Sequence, residues 1–194
     1  MSGDFDGDGD EDIVVSSYAD DFLIFYTNNG SGSFSFSSTK AVGLEPGVLE
    51  TIDLNDDSIL DLVVSQPDGG YSHVYLGNGN GTFQSRITFD SVGYFIDIDF
   101  ADIDNDGRID MVGSNVSGAT SEVAVFLNQG SGIFSSRRTF VVGLPTYAVE
   151  LGDFNEDGKV DIVTGHNGAR MSILFGNGDG TFQTHQTIGS AEVS

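Results

Sequence analysis

Short apolar clusters recur along the chain, each bounded by polar, glycine-rich segments. One set comprises Ile13-Val14-Val15, Leu62-Val63-Val64 and Ile162-Val163. A second set follows downstream: Phe22–Tyr26, His73–Leu76, Val123–Leu127 and Ser172–Phe175. β-branched and aromatic residues dominate both, and such clusters fit half-buried strands. No segment keeps a 3.6-residue period over three turns, so almost no helix is expected. Behind the second set comes an Asn/Gly-rich stretch of the kind that tolerates positive φ in a tight hairpin. A polar strand then begins, as in Phe83–Phe89, and a fourth, as in Tyr147–Leu151, leads into the next unit.

Two motifs repeat in step. GDFDGDGDEDIVV from Gly3 superimposes on IDLNDDSILDLVV from Ile52, ADIDNDGRIDMVG from Ala101 and GDFNEDGKVDIVT from Gly152. Their first aspartates, Asp4, Asp53, Asp102 and Asp153, stand 49, 49 and 51 residues apart. NNGSGSF, GNGNGTF, NQGSGIF and GNGDGTF end at Phe34, Phe83, Phe134 and Phe182 and so keep step with the first motif. Four strands per unit of about 48 residues is the signature of a propeller blade. The expectation is an all-β fold: one β-propeller domain over residues 1–194, with four four-stranded blades. The chain opens directly at an acidic loop, so the first blade is expected to lack its leading strand. The terminal segment Ile188–Ser194 is expected to supply it and close the ring by pairing the N- and C-terminal segments. A fragment of a larger ring and half of a dimeric assembly are the competing readings.

The acidic loops at 4–12, 53–61, 102–110 and 153–161 follow Asp-x-Asp/Asn-x-Asp-Gly-x-x-Asp. Calcium takes six to eight oxygens, and a loop alternating ligand with spacer turns those oxygens inward. The expected ligands in the first loop are Asp4, Asp6, Asp8, the Asp10 carbonyl and Asp12. In the third they are Asp102, Asp104, Asp106, the Arg108 carbonyl and Asp110. In the fourth they are Asp153, Asn155, Asp157, the Lys159 carbonyl and Asp161. The second loop offers Asp53, Asn55, Asp57, the Ile59 carbonyl and Asp61, but has Ser58 where the others have Gly9, Gly107 and Gly158. A non-glycine residue held at positive φ costs on the order of 1 kcal/mol. Up to four Ca²⁺ are therefore expected, one per blade, with the second site the weakest. The EF-hand shares the opening spacing, but its bidentate Glu and flanking helices are missing.

Composition narrows the partners. The 194 residues carry 30 acidic and seven basic side chains, a formal charge of −23, with no cysteine. Eighteen of the acidic residues lie in the four loops, a density that is self-repulsive without a cation. Nucleic acid is disfavoured, because binding it requires Lys or Arg against phosphate. Disulfides and thiolate metal sites are excluded. No apolar run approaches the roughly 20 residues that span a bilayer, and no signal peptide is visible.

The paired motifs resemble the FG-GAP/VCBS repeats of integrin α-subunit propellers and of related bacterial, fungal and invertebrate extracellular proteins. The resemblance runs over essentially the whole chain. It implies calcium between the first two strands of each blade, an extracellular or cell-surface setting, and service in adhesion or ligand binding. Some members resemble lectins holding sugars between blades. Integrin-type rings usually have seven blades, and four repeats depart from that. The expected function is a non-catalytic, calcium-binding recognition or adhesion module for glycans or extracellular proteins. A structural scaffold, or a fragment of a larger adhesin or secreted enzyme, is the alternative.

The remaining signals are weaker. Asn29-Gly30-Ser31, Asn80-Gly81-Thr82 and Asn115-Val116-Ser117 match a glycosylation sequon, but turn chemistry explains the first two. His73, His166 and His185 are not spaced as a metal pair, and no nucleophile–base set stands out. The variable linkers Ser17–Asp21, Gln66–Tyr71, Asn115–Ser121 and His166–Arg170 are the candidate ligand contacts, with Tyr18 and Tyr71 offering stacking faces.

Overall fold

A computed structural model describes residues 1–43, 45–66, 70–91, 95–115 and 121–189. Each of the four repeats forms one four-stranded antiparallel sheet in simple meander order. The first contains β1 (Ser2–Gly3), β2 (Asp12–Ser17), β3 (Phe22–Asn28) and β4 (Phe34–Ala41). The second contains β5 (Leu49–Ile52), β6 (Asp61–Gln66), β7 (Tyr71–Tyr75) and β8 (Ile87–Asp90). The third contains β9 (Phe95–Ala101), β10 (Asp110–Asn115), β11 (Glu122–Phe126) and β12 (Arg138–Val141). The fourth contains β13 (Thr146–Gly152), β14 (Asp161–His166), β15 (Arg170–Leu174) and β16 (Gln186–Gly189). There is no helix among the described residues.

Residue contacts divide the chain into two compact units, Met1–Val92 with Gly130–Ile133, and Gly93–Gln129 with Phe134–Ser194. In the first, one face of the leading sheet (Val14, Leu23, Phe25) packs on Leu62, Val64 and Tyr75 of the second sheet. In the second, Val112, Val123 and Val125 meet Ile162, Leu174 and Phe182 in the same way. The middle strands are therefore apolar on both faces: Leu62, Val63 and Val64 of β6 are all fully buried. Each large aliphatic or aromatic side chain buried this way is worth about 1.5–3 kcal/mol.

Three details differ from the sequence reading. The first sheet does have a leading strand, because Ser2 and Gly3 pair with Ile13 and Asp12, and the Met1 carbonyl accepts from the Val14 amide. Ile188 and Gly189 lie on β16, paired with Met171 and Arg170. Ser190–Ser194 lie outside the described residues, so closure of the ring by the chain ends is not established. The strand expected from Phe83 also divides. Phe83 makes an isolated bridge to Gly77, and β8 begins only at Ile87. In the first sheet the corresponding segment runs unbroken from Phe34 to Ala41.

The buried His73 is held neutral. Its ring nitrogens lie 3.0 Å from Thr88 Oγ1 and 2.9 Å from Gln66 Oε1. Burial, and then the nearby Arg86, lower its pKa.

Candidate metal centres

Each acidic loop joins the first and second strands of its sheet, and the four share one hydrogen-bond plan. The first aspartate caps the turn with its own carboxylate. Asp4 accepts from the Gly7 and Gly9 amides at 2.8 and 3.0 Å, and Asp153 from Asp157 and Gly158 at 3.0 and 2.8 Å. Asp53 and Asp102 do the same in their loops. The fifth-position carboxylate, at Asp8, Asp57, Asp106 and Asp157, accepts from the seventh-position amide at 2.9–3.0 Å. These local bonds between carboxylate and backbone amide are why Asp rather than Glu suits the loop.

The backbone bends left-handed twice. Gly9, Ser58, Gly107 and Gly158 have φ of 90°, 64°, 86° and 81°. The expected strain at Ser58 is thus present. The fourth position is left-handed too: Gly7 at 82°, Asp56 at 63°, Asn105 at 60° and Glu156 at 62°. Sequence reasoning missed this second bend, although Gly7 and Asn105, both tolerant of positive φ, signal it.

The loops gather carboxylates. One oxygen from each of Asp4, Asp6 and Asp8 lies within 4.8 Å of the others, and so does one from each of Asp102, Asp104 and Asp106. Burial, then the neighbouring carboxylates, raise the pKa of Asp6 and Asp104. Asp104 Oδ1 is buried and has no hydrogen-bond partner. A buried anionic oxygen without a partner is costly, and a cation is the ordinary way to satisfy it. The donor set is all oxygen, as a hard divalent ion requires. In the second and fourth loops Asn55 and Asn155 bridge to Asp57 and Asp157 through their side-chain amides. The Arg108 guanidinium pairs with Asp106, and Lys159 Nζ lies 3.6 Å from Asp157. These cations compensate the loops in part.

The ninth-position aspartates behave differently. Asp12, Asp61, Asp110 and Asp161 are buried, and each accepts one backbone amide with either oxygen. Oδ2 accepts from the loop's second residue: Phe5, Leu54, Ile103 or Phe154, at 2.9–3.2 Å. Oδ1 accepts from the start of the Asn/Gly turn: Asn28, Gly77, Asn128 or Gly176, at 2.8–2.9 Å. One carboxylate thus staples the acidic loop to the second repeat motif. Burial raises the pKa of Asp61 and pushes Asp110 up to about 6, against the lowering effect of those amides. The sequence reading assigned these residues only as ligands. Apolar residues on both sides of Asp61, Asp110 and Asp161, such as Leu60 and Leu62, are the signal that these are buried and need backbone partners; Asp12, which follows Glu11, lacks it.

Among the linkers, Tyr18 Oη donates to Glu45 at 2.9 Å, and Asn167 donates to the Tyr147 hydroxyl at 3.2 Å. Residues 67–69 and 116–120 of the other two linkers lie outside the described residues. Each unit also has a cleft between its two sheets. In the second unit it measures about 410 Å³ and is lined by Thr139, Phe140, Gln183, Thr184 and His185. In the first it is about 230 Å³, with Thr39, Lys40, Thr82 and Phe83 on its walls. These clefts are functional candidates that linker variability did not reveal.

The profile of the FG-GAP-like repeat matches residues 4–51 and 53–113. The chain belongs to the FG-GAP-like repeat family. No curated protein matches the sequence. Among solved structures, a lectin from Agrocybe aegerita, described as recognising non-reducing terminal N-acetylglucosamine, is 24% identical with a TM-score of 0.62. BBS1N, solved in complex with ARL6DN, is 13% identical with a TM-score of 0.65. Each match covers 97% of this chain but only 51% and 55% of the other chain, so this FG-GAP-like chain spans about half the length of its structural neighbours. At these identities the likeness speaks for the fold alone.

Proposed function

We propose that this FG-GAP-like chain is a non-catalytic recognition module. Its acidic loops bind calcium, and its inter-sheet clefts take a glycan in an extracellular or cell-surface setting. The observation that carries the calcium reading is the third loop, where three carboxylates converge and one buried oxygen lacks a partner. The ligands are the twenty residues assigned from the sequence, the ninth aspartate binding through lone pairs left over from the staple. Calcium would crosslink loops in a fold without disulfides. It would also relieve like-charge repulsion.

The glycan reading rests on the second unit's cleft, which offers the Phe140 ring beside hydroxyl, amide and imidazole groups. That combination provides an apolar face to stack on and polar groups to orient hydroxyls. The Agrocybe aegerita lectin, alike in fold, makes terminal N-acetylglucosamine the first sugar to try. The reading does not depend on the two chain ends pairing. The test is a glycan array in millimolar calcium and again with chelator, followed by the His185→Ala variant on any sugar that binds. Calcium-dependent binding to a coherent set of sugars that weakens in the variant supports the proposal. A folded protein that binds no sugar in either condition leaves a calcium-stabilised scaffold instead.

A further inference from the structure

The two inter-sheet clefts share a frame but not a charge. In the second unit Phe140 pairs with Val123, Leu174 with Ile162, and His185 stands directly before β16. The same three places in the first unit hold Lys40, paired with Leu23, Tyr75, paired with Leu62, and Arg86, directly before β8. Lys40 Nζ lies 4.7 Å from the centre of the buried Tyr75 ring. The Arg86 guanidinium reaches the hydroxyl of the same ring, whose pKa it lowers against the larger effect of burial. Two cations thus converge, one from each sheet, where the second unit has a phenyl ring and an imidazole. Arg138 also lies near the second cleft, but it is directed to the Gly180 carbonyl at 3.5 Å and acts on Asp179.

Lys40 and Arg86 are the only basic residues among positions 1–92, which hold 16 acidic ones. Neither pairs with a carboxylate among the described residues, whereas Arg108 and Lys159 do. Burial lowers the Lys40 pKa, and no described carboxylate offsets it. The cleft around Lys40, about 230 Å³, offers the hydroxyls of Ser38, Thr39 and Thr82 and the rings of Phe25 and Phe83, with no acidic group in its described lining. A half-buried ammonium without a counter-charge is costly, and an incoming anion relieves that cost. We propose that this cleft is an oxyanion subsite that takes the carboxylate or sulfate of an acidic saccharide, with Lys40 as its direct contact and Arg86 as the second charge. This rests on the glycan reading of the clefts, under which they take different sugars: an acidic one in the first unit and a neutral one in the second. The volume lies below the roughly 300 Å³ at which drug-sized sites begin, which suits one sugar ring rather than an extended chain. The net charge of −23 opposes any acidic ligand at long range, so affinity must come from direct contact with these two groups.

The chain has two lysines, Lys40 and Lys159, and NMR of protein carrying ¹³C at the lysine Cε gives one signal for each. Lys159 sits at a calcium loop and reports binding there. The full chain is titrated in millimolar calcium with methyl glucuronide, a glucose sulfate ester, the neutral methyl glucoside and inorganic sulfate. Both acidic sugars should shift the Lys40 signal to saturation, leave Lys159 unmoved and raise the Lys40 pKa, because an anion favours the charged form. The neutral glucoside should do none of this. Lys40→Gln should weaken both acidic sugars at least about tenfold, as loss of one charge-assisted hydrogen bond does, and Arg86→Gln should weaken them less. Lys40→Arg, which keeps the charge, should retain binding. Whichever acidic sugar binds more tightly identifies carboxylate or sulfate as the group recognised. Inorganic sulfate that shifts Lys40 while no sugar does keeps the oxyanion site and overturns the glycan reading instead. A Lys40 signal that answers to no anion, or equally to the neutral glucoside, overturns the proposal. Acidic-sugar binding that survives Lys40→Gln overturns it as well.

Discussion

Replacing Asp110 with Ala separates the staple from the metal site. In the parent both Asp110 oxygens accept buried amides, from Ile103 at 2.9 Å and Asn128 at 2.8 Å. Hydrogen bonds to a charged group contribute about 1.5–3 kcal/mol each, and a buried amide left without a partner costs about 1–3 kcal/mol. Alanine removes both acceptors. Relief of the burial that pushes this carboxyl up to about 6 offsets part of the loss. The net cost should be about 2–4 kcal/mol, and Asp110→Asn, which keeps one acceptor, should lose about half of that. Asp106→Ala provides the contrast. Asp106 is exposed and serves only Arg108 and the local turn, so in chelator its loss should cost under about 1 kcal/mol. With calcium present Asp106→Ala should cost more, because it also removes a ligand. The assay is urea unfolding of parent and variants in calcium and in EDTA, with slopes compared to confirm that the same surface unfolds. A cost for Asp110→Ala below about 1 kcal/mol in EDTA, or one that appears only with calcium, would refute the staple.

Three further outcomes are expected. Chelation should lower the melting temperature, since ion held only by the folded state stabilises it by about 2.7 kcal/mol per site at a hundredfold excess over Kd; an unchanged melt in EDTA removes calcium from the account. Ser58→Gly should stabilise the chain by roughly 0.5–1 kcal/mol and tighten calcium at the second loop, because it relieves a left-handed φ of 64°; isothermal titration and melting check both parts, and destabilisation would show that the Ser58 side chain matters more than its backbone. In calcium-free buffer stability should fall as pH rises from about 4 to 7, because burial holds Asp110, Asp61, Asp104 and Asp6 above their unfolded values and the folded state binds more protons in that window. A melting temperature that rises over this range without calcium would contradict the sign, while added calcium, which favours the ionised form, should flatten the trend.

The repeat architecture was legible because it rests on local chemistry. Asp and Gly at the acidic turn, Asn and Gly at the hairpin, and apolar clusters between them each specify a short element, and fourfold recurrence ties them into sheets. Contacts between elements were harder to read. Asp61 looks like one more loop ligand unless its neighbours Leu60 and Leu62 are taken as a sign of depth, because loop spacing alone does not distinguish a carboxylate facing a cation from one facing two amides. The break after Phe83 was hidden for the same reason: the segment is strand-like in composition, but its first residues only bridge back across the turn. Exposure was equally invisible. Phe34, Phe83 and Phe182 occupy the same motif position, yet Phe83 and Phe182 lie against a preceding sheet while Phe34 is left half exposed.

The staple and the loop plan together explain how a chain of charge −23 folds around its own acidic groups. The carboxylates fall into two classes with different compensation. The ninth-position groups are neutralised inward by amide dipoles, two per carboxylate, and those amides belong to both motifs of the repeat. In the first and third loops the first-, third- and fifth-position carboxylates converge outward, where amides compensate them only in part and Asp104 Oδ1 has no partner. Folding without metal therefore requires the inner set to be satisfied, and it is, in all four repeats. The outer set remains repulsive, so any cation bound there acts on a loop whose backbone is already arranged. Little ordering entropy is then lost on binding, and affinity follows the number of carboxylates and the strain at the turn. On that reasoning the first and third loops should bind calcium most tightly, with Asp at all three outer positions and glycine at the sixth. The fourth follows, with Asn155, and the second is last, with Asn55 and the strained Ser58.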